Sequence, residues 1–191
     1  MEHNSYNLFP TLVQIHDLKD HPASHRVLEL MRNTETNWHA LVQDGESSYN
    51  ERTTNRFLSN PAIADFATTL QECVDKFTQE AGIQKCVIKN SWFNRMKKGS
   101  RVNLHRHEYS AVSGAYYPTW DFDSAPLIFR NPTAPYKMAE LATESTIYND
   151  LEQEIPGAFG RLILFPSYLE HYTRTNESED RLVLSFNAGY V

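Results

Sequence analysis

The chain has 191 residues and a formal net charge of −6, from 18 Lys and Arg against 24 Asp and Glu. This length suits one domain with a sizeable core, and the acidic balance disfavours a nucleic-acid or anionic-membrane partner. No apolar run reaches the ~18 residues of a membrane helix, and the first ten residues lack the basic and apolar blocks of a signal peptide. We therefore expect a soluble, cytoplasmic protein.

The first third of the chain has the pattern of a helical support. After Pro22, apolar residues recur at the spacing of a helix. They are Val27, Leu28, Leu30 and Met31. A second helix is predicted from Ser59 to about Glu80, with Gly82 ending it. Its apolar stripe consists of Ile63, Phe66, Leu70, Cys73, Val74 and Phe77. The polar stretch from Gln43 to Thr54 is predicted to be a loop.

From residue 85 onward the hydrophobic period changes to two, which is typical of strands. The predicted strands lie near residues 85–96, 101–107, 111–117, 126–130, 161–166, 171–175 and 181–188. Seven short strands after two helices predict a mainly β fold, a β-sandwich or jelly-roll barrel with helices on one face. We expect a single domain over residues 1–191, with a helical support over 1–83 and a jelly-roll core over 84–191.

The cysteine content argues against a disulfide framework, because the chain has only Cys73 and Cys86. Both are predicted to be buried free thiols. No basic group is patterned beside them, so neither is assigned a catalytic role.

Strand alternation brings several histidines toward one face. In the strand over 101–107, Asn103, His105 and His107 project in the same direction, and His171 opens a later strand. An inward polar row implies a cavity that holds something. Imidazole nitrogens bind Fe, Zn, Cu and Ni, and a close pair plus a distant third ligand builds an open metal site. The remaining histidines share no spacing and stay unassigned: His3, His16, His21, His25 and His39.

The last strand alternates in the same way. Its apolar residues are predicted to face the helices: Leu182, Leu184 and Phe186. Arg181 and Ser185 then face the same side as the histidines. We interpret Arg181 as a carboxylate clamp rather than the partner of a surface ion pair with Glu179 or Asp180, because arginine holds a carboxylate through two hydrogen bonds and stays charged.

A family resemblance rests on the joint order and spacing of five motifs. They are His105-Arg106-His107, Ser113-Gly114-Ala115-Tyr116-Tyr117, Gly160 to Ser167, His171, and Arg181 to Asn187. Together they resemble the Fe(II)/2-oxoglutarate-dependent oxygenases, and most closely an oxygenase group related to prolyl hydroxylases. The resemblance spans roughly residues 84–190.

The resemblance implies a double-stranded β-helix with Fe(II) near one mouth and with 2-oxoglutarate and O₂ as cosubstrates. It implies that His105 and His171 bind the metal. Arg181 matches the residue that binds the far carboxylate of 2-oxoglutarate, and Tyr117 matches a tyrosine that hydrogen-bonds this cosubstrate. The cosubstrate-binding candidates are Arg181, Tyr117, Ser185 and Asn103.

The sequence departs from the family pattern at the third metal ligand, where the family has a carboxylate and this chain has His107. Glu108 is adjacent, but strand alternation points it to the opposite face unless a bulge intervenes. We favour His107 as the ligand. Three neutral imidazoles leave an Fe(II) site one charge unit more positive than two histidines and a carboxylate. Two alternatives stay open: a three-histidine cupin-like dioxygenase that uses no 2-oxoglutarate, and a jelly-roll binding module without enzymatic activity.

The expected reaction is hydroxylation of a C–H bond with release of succinate and CO₂. The relation to prolyl hydroxylases makes a peptidyl residue the first expected substrate and a free small molecule the second. Loops at the mouth of a rigid scaffold usually carry recognition, which favours the segments Asp121–Asp123 and Asn131–Ile155. The long interruption from Asn131 to Gly160 is either a functional lid or poorly ordered.

Overall fold

The structure, a computed structural model, describes residues 2–52, 55–137 and 141–191. Helix α1 spans Ser24–Asn33 and helix α2 spans Ala64–Ala81. The strands are β1 Gln14–Asp17, β2 Asn37–His39, β3 Val42–Ser47, β4 Cys86–Met96, β5 Arg101–Val102, β6 Val112–Tyr117, β7 Leu127–Arg130, β8 Glu152–Ile155, β9 Arg161–Pro166, β10 His171–Tyr172 and β11 Arg181–Tyr190. Within the described ranges, no helix is long and apolar enough to cross a membrane.

The strands in these ranges form two antiparallel sheets. The larger sheet has the order β1-β9-β6-β11-β4-β3-β2, with β5 beside β3, and the smaller has the order β10-β7-β8. An isolated backbone bridge between His105 and His171 adds the segment after β5 to the smaller sheet. The chain therefore passes from the larger sheet to the smaller one between β5 and His105, which brings the inner faces of both sheets to one interior.

Helix α2 ends where its sequence signals predict, but it begins at Ala64 rather than at the predicted Ser59, because two short 3₁₀ turns, Phe57–Ser59 and Pro61–Ile63, precede it. The Asn60 side chain accepts a hydrogen bond from the backbone N–H of Ala62 in a 3₁₀ turn over Pro61–Ile63 that leads into the helix. Gly82 ends the helix in the left-handed conformation, at φ 65°. The apolar stripe packs on the outer face of the larger sheet, and the rings of Phe66 and Tyr116 lie 4.8 Å apart.

Alternate residues of the same strands enter two separate apolar clusters. The outer cluster, between the helices and the larger sheet, includes Leu182, Leu184 and Phe186, as predicted. The inner cluster, between the two sheets, includes Val183 of the same strand together with Phe129 and Phe165. The period-two pattern of β11 therefore separates a helix-facing core from the wall of an interior cavity.

The first third of the chain is not only helical. Strands β1 and β3 pair with β9 and β4 of the larger sheet, and β2 extends it at the edge. The prediction of a loop over Gln43–Thr54 is therefore wrong for residues 43–47, which belong to β3, and residues 53–54 of that loop lie outside the described residues. The polar composition of β3 is typical of a loop because alternate side chains of this strand face solvent. Its backbone nevertheless bonds to neighbouring strands.

Cys73 and Cys86 are both free and buried, as predicted. Burial raises the pKa of both thiols above the ordinary cysteine value, so neither is activated as a nucleophile.

Gly114 is predicted to be a stability determinant, because a Cβ placed on it would lie 2.2 Å from the ring of Phe186. We expect Gly114→Ala to lower the free energy of unfolding by about 1–3 kcal/mol through overpacking. Gly189→Ala is the matched control in the neighbouring strand, since its Cβ would meet nothing closer than 3.7 Å. Urea unfolding of the two variants and the wild type measures the difference, and equal stabilities would contradict this account of the core.

Candidate metal centre

Backbone hydrogen bonds place three histidines together. The N–H of His105 donates to the carbonyl of His171 at 3.0 Å, and the N–H of His171 donates back to His105 at 2.9 Å. The N–H of His107 donates to the carbonyl of Ser167 at 3.0 Å. Because these bonds belong to the sheet and its adjoining loop, the histidines are held in place before any ligand binds.

The three imidazoles form one compact cluster. Ring centroids of His105 and His171 lie 4.3 Å apart, those of His105 and His107 lie 4.9 Å apart, and those of His107 and His171 lie 5.1 Å apart. One ring nitrogen from each histidine lies within 4.8 Å of the other two. This spacing allows all three nitrogens to converge on a single ion.

Two of the histidines have their ring orientation set by a backbone carbonyl. Nδ1 of His105 lies 2.8 Å from the carbonyl oxygen of Asn103, and Nδ1 of His171 lies 2.9 Å from that of Leu169. A carbonyl oxygen only accepts, so we assign the proton to Nδ1 in each ring. The lone pair is then on Nε2, which is the arrangement that metal-binding histidines use.

Burial keeps the cluster uncharged. It lowers the pKa of His105, lowers the pKa of His107 to about 3, and takes the pKa of His171 well below the ordinary histidine value. Neutral imidazoles at neutral pH offer lone pairs to a cation without first losing a proton. The donor set of three neutral nitrogens therefore fits a transition-metal ion such as iron, zinc, copper or nickel.

The third member of the cluster is His107 rather than Glu108. The carboxylate of Glu108 lies 3.3 Å from the guanidinium of Arg106 in an exposed ion pair. The metal-binding cluster found in the described part of the chain contains the three histidines and no carboxylate. This placement favours His107 as the third ligand, in agreement with strand alternation.

The histidine cluster opens into a cavity of about 440 Å³ between the two sheets. The inward side chains of β4 and β11 line it from one side. They are Asn90, Trp92 and Asn94 of β4, and Arg181, Val183, Ser185 and Asn187 of β11. Because Trp92 contacts His107, at 5.7 Å between ring centroids, the cluster lies level with the middle of β4.

Arg181 lies at the inner end of this cavity and is only 2% exposed. Its Nε donates to the carbonyl of Ala125 at 3.1 Å, and its Nη1 lies 2.7 Å from the sulfur of Met96. Among the described residues no carboxylate pairs with it, and Asp180 pairs instead with Arg32 at 2.7 Å. Burial lowers the pKa of Arg181. A buried cation without a counter-ion is costly, so an anionic ligand is its natural complement.

Tyr117 provides a second unpaired polar group at the same end. Its side chain is fully buried, its hydroxyl has no hydrogen-bond partner among the described residues, and its ring lies under the Arg181 guanidinium at 5.6 Å. Burial also raises the pKa of this phenol, so it remains a neutral donor. A donor hydroxyl beside a guanidinium matches the two oxygens of a carboxylate.

The other candidate residues are placed differently. Ser185 lines the cavity as predicted. The side chain of Asn103 does not: its Nδ2 donates to the carbonyl of Ala40 at 3.4 Å, and only its own carbonyl serves the site, by holding His105. His39, which stayed unassigned, lines the cavity near its mouth.

Sequence reasoning also missed the two asparagines of β4 that face the cavity, Asn90 and Asn94. The signal was present, because they alternate with buried residues in the same way as the polar residues of β11 do.

Known structures with the same architecture show that this fold is a double-stranded β-helix. A prolyl-4-hydroxylase from Pseudomonas putida has 14% identity and a TM-score of 0.62, over 95% of this chain and 94% of that one. HygX from Streptomyces hygroscopicus, solved with nickel, 2-oxoglutarate and hygromycin B, has 12% identity and a TM-score of 0.64, over 95% of this chain and 84% of that one. A prolyl hydroxylase from Trichoplax adhaerens, in complex with a hypoxia inducible factor peptide fragment, has 13% identity and a TM-score of 0.59, over 92% of this chain and 82% of that one. The double-stranded β-helix predicted from the sequence is confirmed.

The sequence itself identifies the family. The model of the family described as "Putative 2OG-Fe(II) oxygenase" matches residues 90–187, just over half of the chain. The chain belongs to this family of 2-oxoglutarate- and iron-dependent oxygenases, which confirms the resemblance seen in the motifs. No curated protein matches the chain significantly in sequence.

The three-histidine cluster predicts which substitution weakens metal binding. We expect His107→Ala to weaken binding of Fe(II), or of Mn(II) as an air-stable probe, by about 100-fold or more, since one of three donors is lost. Glu108→Ala should bind like the wild type, because its carboxylate pairs with Arg106 at the surface. Anaerobic calorimetric titration measures both affinities. Loss of binding in Glu108→Ala with retention in His107→Ala would reverse the assignment.

Proposed function

We propose that this protein hydroxylates a C–H bond of its substrate, with His105, His107 and His171 holding Fe(II) and with 2-oxoglutarate held by Arg181. The observation that carries this proposal is the guanidinium of Arg181, which is buried in the same cavity as the histidine cluster and pairs with no carboxylate of residues 2–52, 55–137 and 141–191. The reaction converts 2-oxoglutarate and O₂ to succinate and CO₂ and places one oxygen atom in the substrate.

The three histidines would hold the metal, each through one ring nitrogen. Fe(II) bound there supplies the O₂ chemistry of the reaction. The carbonyls of Asn103 and Leu169 keep the rings of His105 and His171 oriented, so that Nε2 of each faces the ion. Three protein ligands leave further coordination positions for the cosubstrate and O₂.

Arg181 and Tyr117 would bind the far carboxylate of 2-oxoglutarate. In the register of β11 with β4, Arg181 is opposite Met96, whereas Ser185 is opposite Trp92 at the level of the histidine cluster. A five-carbon diacid reaching inward from the metal therefore runs along β11 toward Arg181. Binding energy at that end fixes the orientation of the 2-oxo acid at the metal.

The remaining open side of the cluster would receive the substrate. Among the residues that line the cavity, His39, Tyr49 and Ser110 are partly exposed and are our candidates for the substrate side. We retain a peptidyl residue as the first substrate class and a free small molecule as the second. The similar structures support both, since one was solved with a peptide fragment and another with hygromycin B.

Two segments stay our candidates for substrate recognition, residues 121–123 and 131–155. Phe122 is fully exposed in the first. Residues 138–140 of the second segment lie outside the described ranges. Its exposed apolar side chains are Tyr136, Leu141, Ile147, Tyr148 and Leu151.

We also propose that the chain acts as one domain, which the pairing of β1 with β9 and of β3 with β4 supports.

Uncoupled turnover tests the cosubstrate before the substrate is known. Protein reconstituted anaerobically with Fe(II) should release succinate from 2-oxoglutarate on exposure to O₂. Arg181→Met should weaken 2-oxoglutarate binding by about 30–150-fold, the equivalent of about 2–3 kcal/mol for hydrogen bonds to a charged group. Removing an unpaired buried charge should leave the thermal midpoint of the ligand-free protein unchanged or higher.

Other outcomes of the same assay favour the alternatives. Iron binding without any effect of 2-oxoglutarate would indicate a three-histidine dioxygenase, and Arg181→Met would then change nothing. Absence of stoichiometric metal binding in anaerobically prepared protein would favour a jelly-roll binding module. Either result overturns the proposed reaction.

The hydroxyl of Tyr117 gives an independent prediction. Tyr117→Phe removes a hydroxyl that bonds to no residue in the described part of the chain, so we expect the stability of the ligand-free protein to be unchanged or slightly raised. Affinity for 2-oxoglutarate should fall about 10-fold, because one hydrogen bond to a carboxylate is lost. Calorimetric titration of 2-oxoglutarate into anaerobic Fe(II)-loaded protein measures the change. An unaltered affinity would place the carboxylate elsewhere.

A further inference from the structure

A series of aromatic contacts leads away from the histidine cluster. The indole of Trp92 meets the ring of His107 with 5.7 Å between centroids and 65° between planes. The same indole meets the ring of Tyr49 with 5.4 Å between centroids and 83° between planes. Both contacts are edge-to-face, a favourable geometry for aromatic pairs. A continuous path of rings therefore joins a candidate metal ligand to Tyr49.

The side chains become more exposed along this path. Trp92 is only 9% exposed, whereas Tyr49 is partly exposed. The ring of Tyr49 also meets that of His39, at 5.2 Å, and His39 is partly exposed as well. Trp92, Tyr49 and His39 all line the cavity. Water therefore reaches the outer end of the path, while its inner end is buried beside the cluster.

The chemistry of Trp92 separates it from the other aromatic rings beside the cluster. The rings of Phe165 and Phe129 lie 4.7 Å and 6.3 Å from that of His171. A phenyl ring does not give up an electron under physiological conditions, whereas an indole and a phenol do. Trp92 is therefore the one such contact among the described residues that an oxidised metal centre can use as an electron donor.

The order of the two donors favours electron flow toward the metal. Tyrosine loses an electron readily when its phenolic proton can pass to water, and the partial exposure of Tyr49 allows that transfer. Trp92 is buried and contacts both Tyr49 and His107. An electron removed from Trp92 is then replaced from Tyr49, and the oxidised site moves outward to solvent.

We propose that Trp92 and Tyr49 form an electron relay, which carries electrons from solvent to the metal centre when 2-oxoglutarate is consumed without a substrate. This inference rests on the proposed function, because the oxidant is the iron centre that consumes 2-oxoglutarate and O₂. It also goes beyond that function, since the relay takes no part in hydroxylating a substrate. Its effect is to protect the histidine cluster from oxidation.

The atoms and electrons of this reaction balance. One oxygen atom of O₂ enters succinate, and without a substrate the other leaves as water after taking up two electrons and two protons. The electrons pass one at a time from Trp92 to the metal centre, and each is replaced from Tyr49, whose O–H bond releases its proton to water. A one-electron reductant of the hydroquinone class returns the electron to Tyr49, which regains a proton from water.

Electron spin resonance of samples frozen during uncoupled turnover tests the relay. Anaerobic Fe(II)-loaded protein with 2-oxoglutarate is exposed to O₂ without substrate or reductant, so that oxidised Tyr49 accumulates. The wild type should give a tyrosyl radical signal that narrows when the tyrosine rings are deuterated. Tyr49→Phe keeps the ring but removes the oxidisable phenol, and should lose the signal. Tyr168→Phe is the matched control and should keep it, because Tyr168 is 58% exposed and lies outside the series of contacts.

Mass spectrometry of the same samples gives a second readout, which packing of the rings would not affect. In Tyr49→Phe no electron reaches Trp92 from outside, so the unused oxygen atom should be inserted into a C–H bond of the Trp92 indole. Hydroxylated Trp92 should therefore be more abundant in Tyr49→Phe than in the wild type or in Tyr168→Phe.

Succinate measured in these samples separates the relay from the proposed function. Succinate release without a tyrosyl signal in the wild type, or with a signal that survives in Tyr49→Phe, overturns the relay and leaves the proposed function standing. Equal hydroxylation of Trp92 in Tyr49→Phe and Tyr168→Phe overturns the relay as well. Absence of succinate in the wild type overturns the proposed function, and the relay with it, because the oxidant is then missing.

Discussion

The backbone bridge between His105 and His171 is the contact on which the site depends. Strand β5 belongs to the larger sheet, and the bridge joins the segment that follows β5 to β10 of the smaller sheet. The same two hydrogen bonds close the roll and bring imidazoles from distant parts of the sequence to 4.3 Å. The pairing of His105 with His171 in the histidine cluster is therefore a consequence of sheet closure.

The interior of the roll contains a polar-lined cavity beside the inner apolar cluster. The helix-facing side of the larger sheet supplies the apolar cluster that stabilises the fold. The inner side then carries the Arg181 guanidinium without a carboxylate partner, and the Tyr117 hydroxyl and the Asn94 amide oxygen without a hydrogen bond, among the described residues. Such groups reduce stability. Arg181 and Tyr117 lie together, with the guanidinium carbon 5.6 Å from the centre of the Tyr117 ring. The net charge of −6 does not attract a dianionic cosubstrate at long range, so its recognition has to be local.

The site was more predictable than parts of the fold. Period-two alternation identified His105, His107, Arg181 and Ser185 as inward residues, because the direction of a strand side chain is a local property. The strands β3 and β8 escaped detection, since their sequences are polar, with Asp44 and Glu46 of β3 and most residues of β8 exposed. Their pairing depends on backbone hydrogen bonds to partners far along the chain, and such bonds leave no pattern of hydrophobicity.

The sequence by itself determined the fold class, the family and the identity of the three histidines, because alternation and motif spacing are encoded residue by residue. Only the tertiary structure decided that Glu108 turns outward to Arg106, that the side chain of Asn103 leaves the cavity, and that Asn94 enters it without a partner. The physical reason is that hydrogen-bond saturation is a property of neighbours in space. A polar residue in a sequence becomes a ligand-binding group only when the folded chain fails to satisfy it.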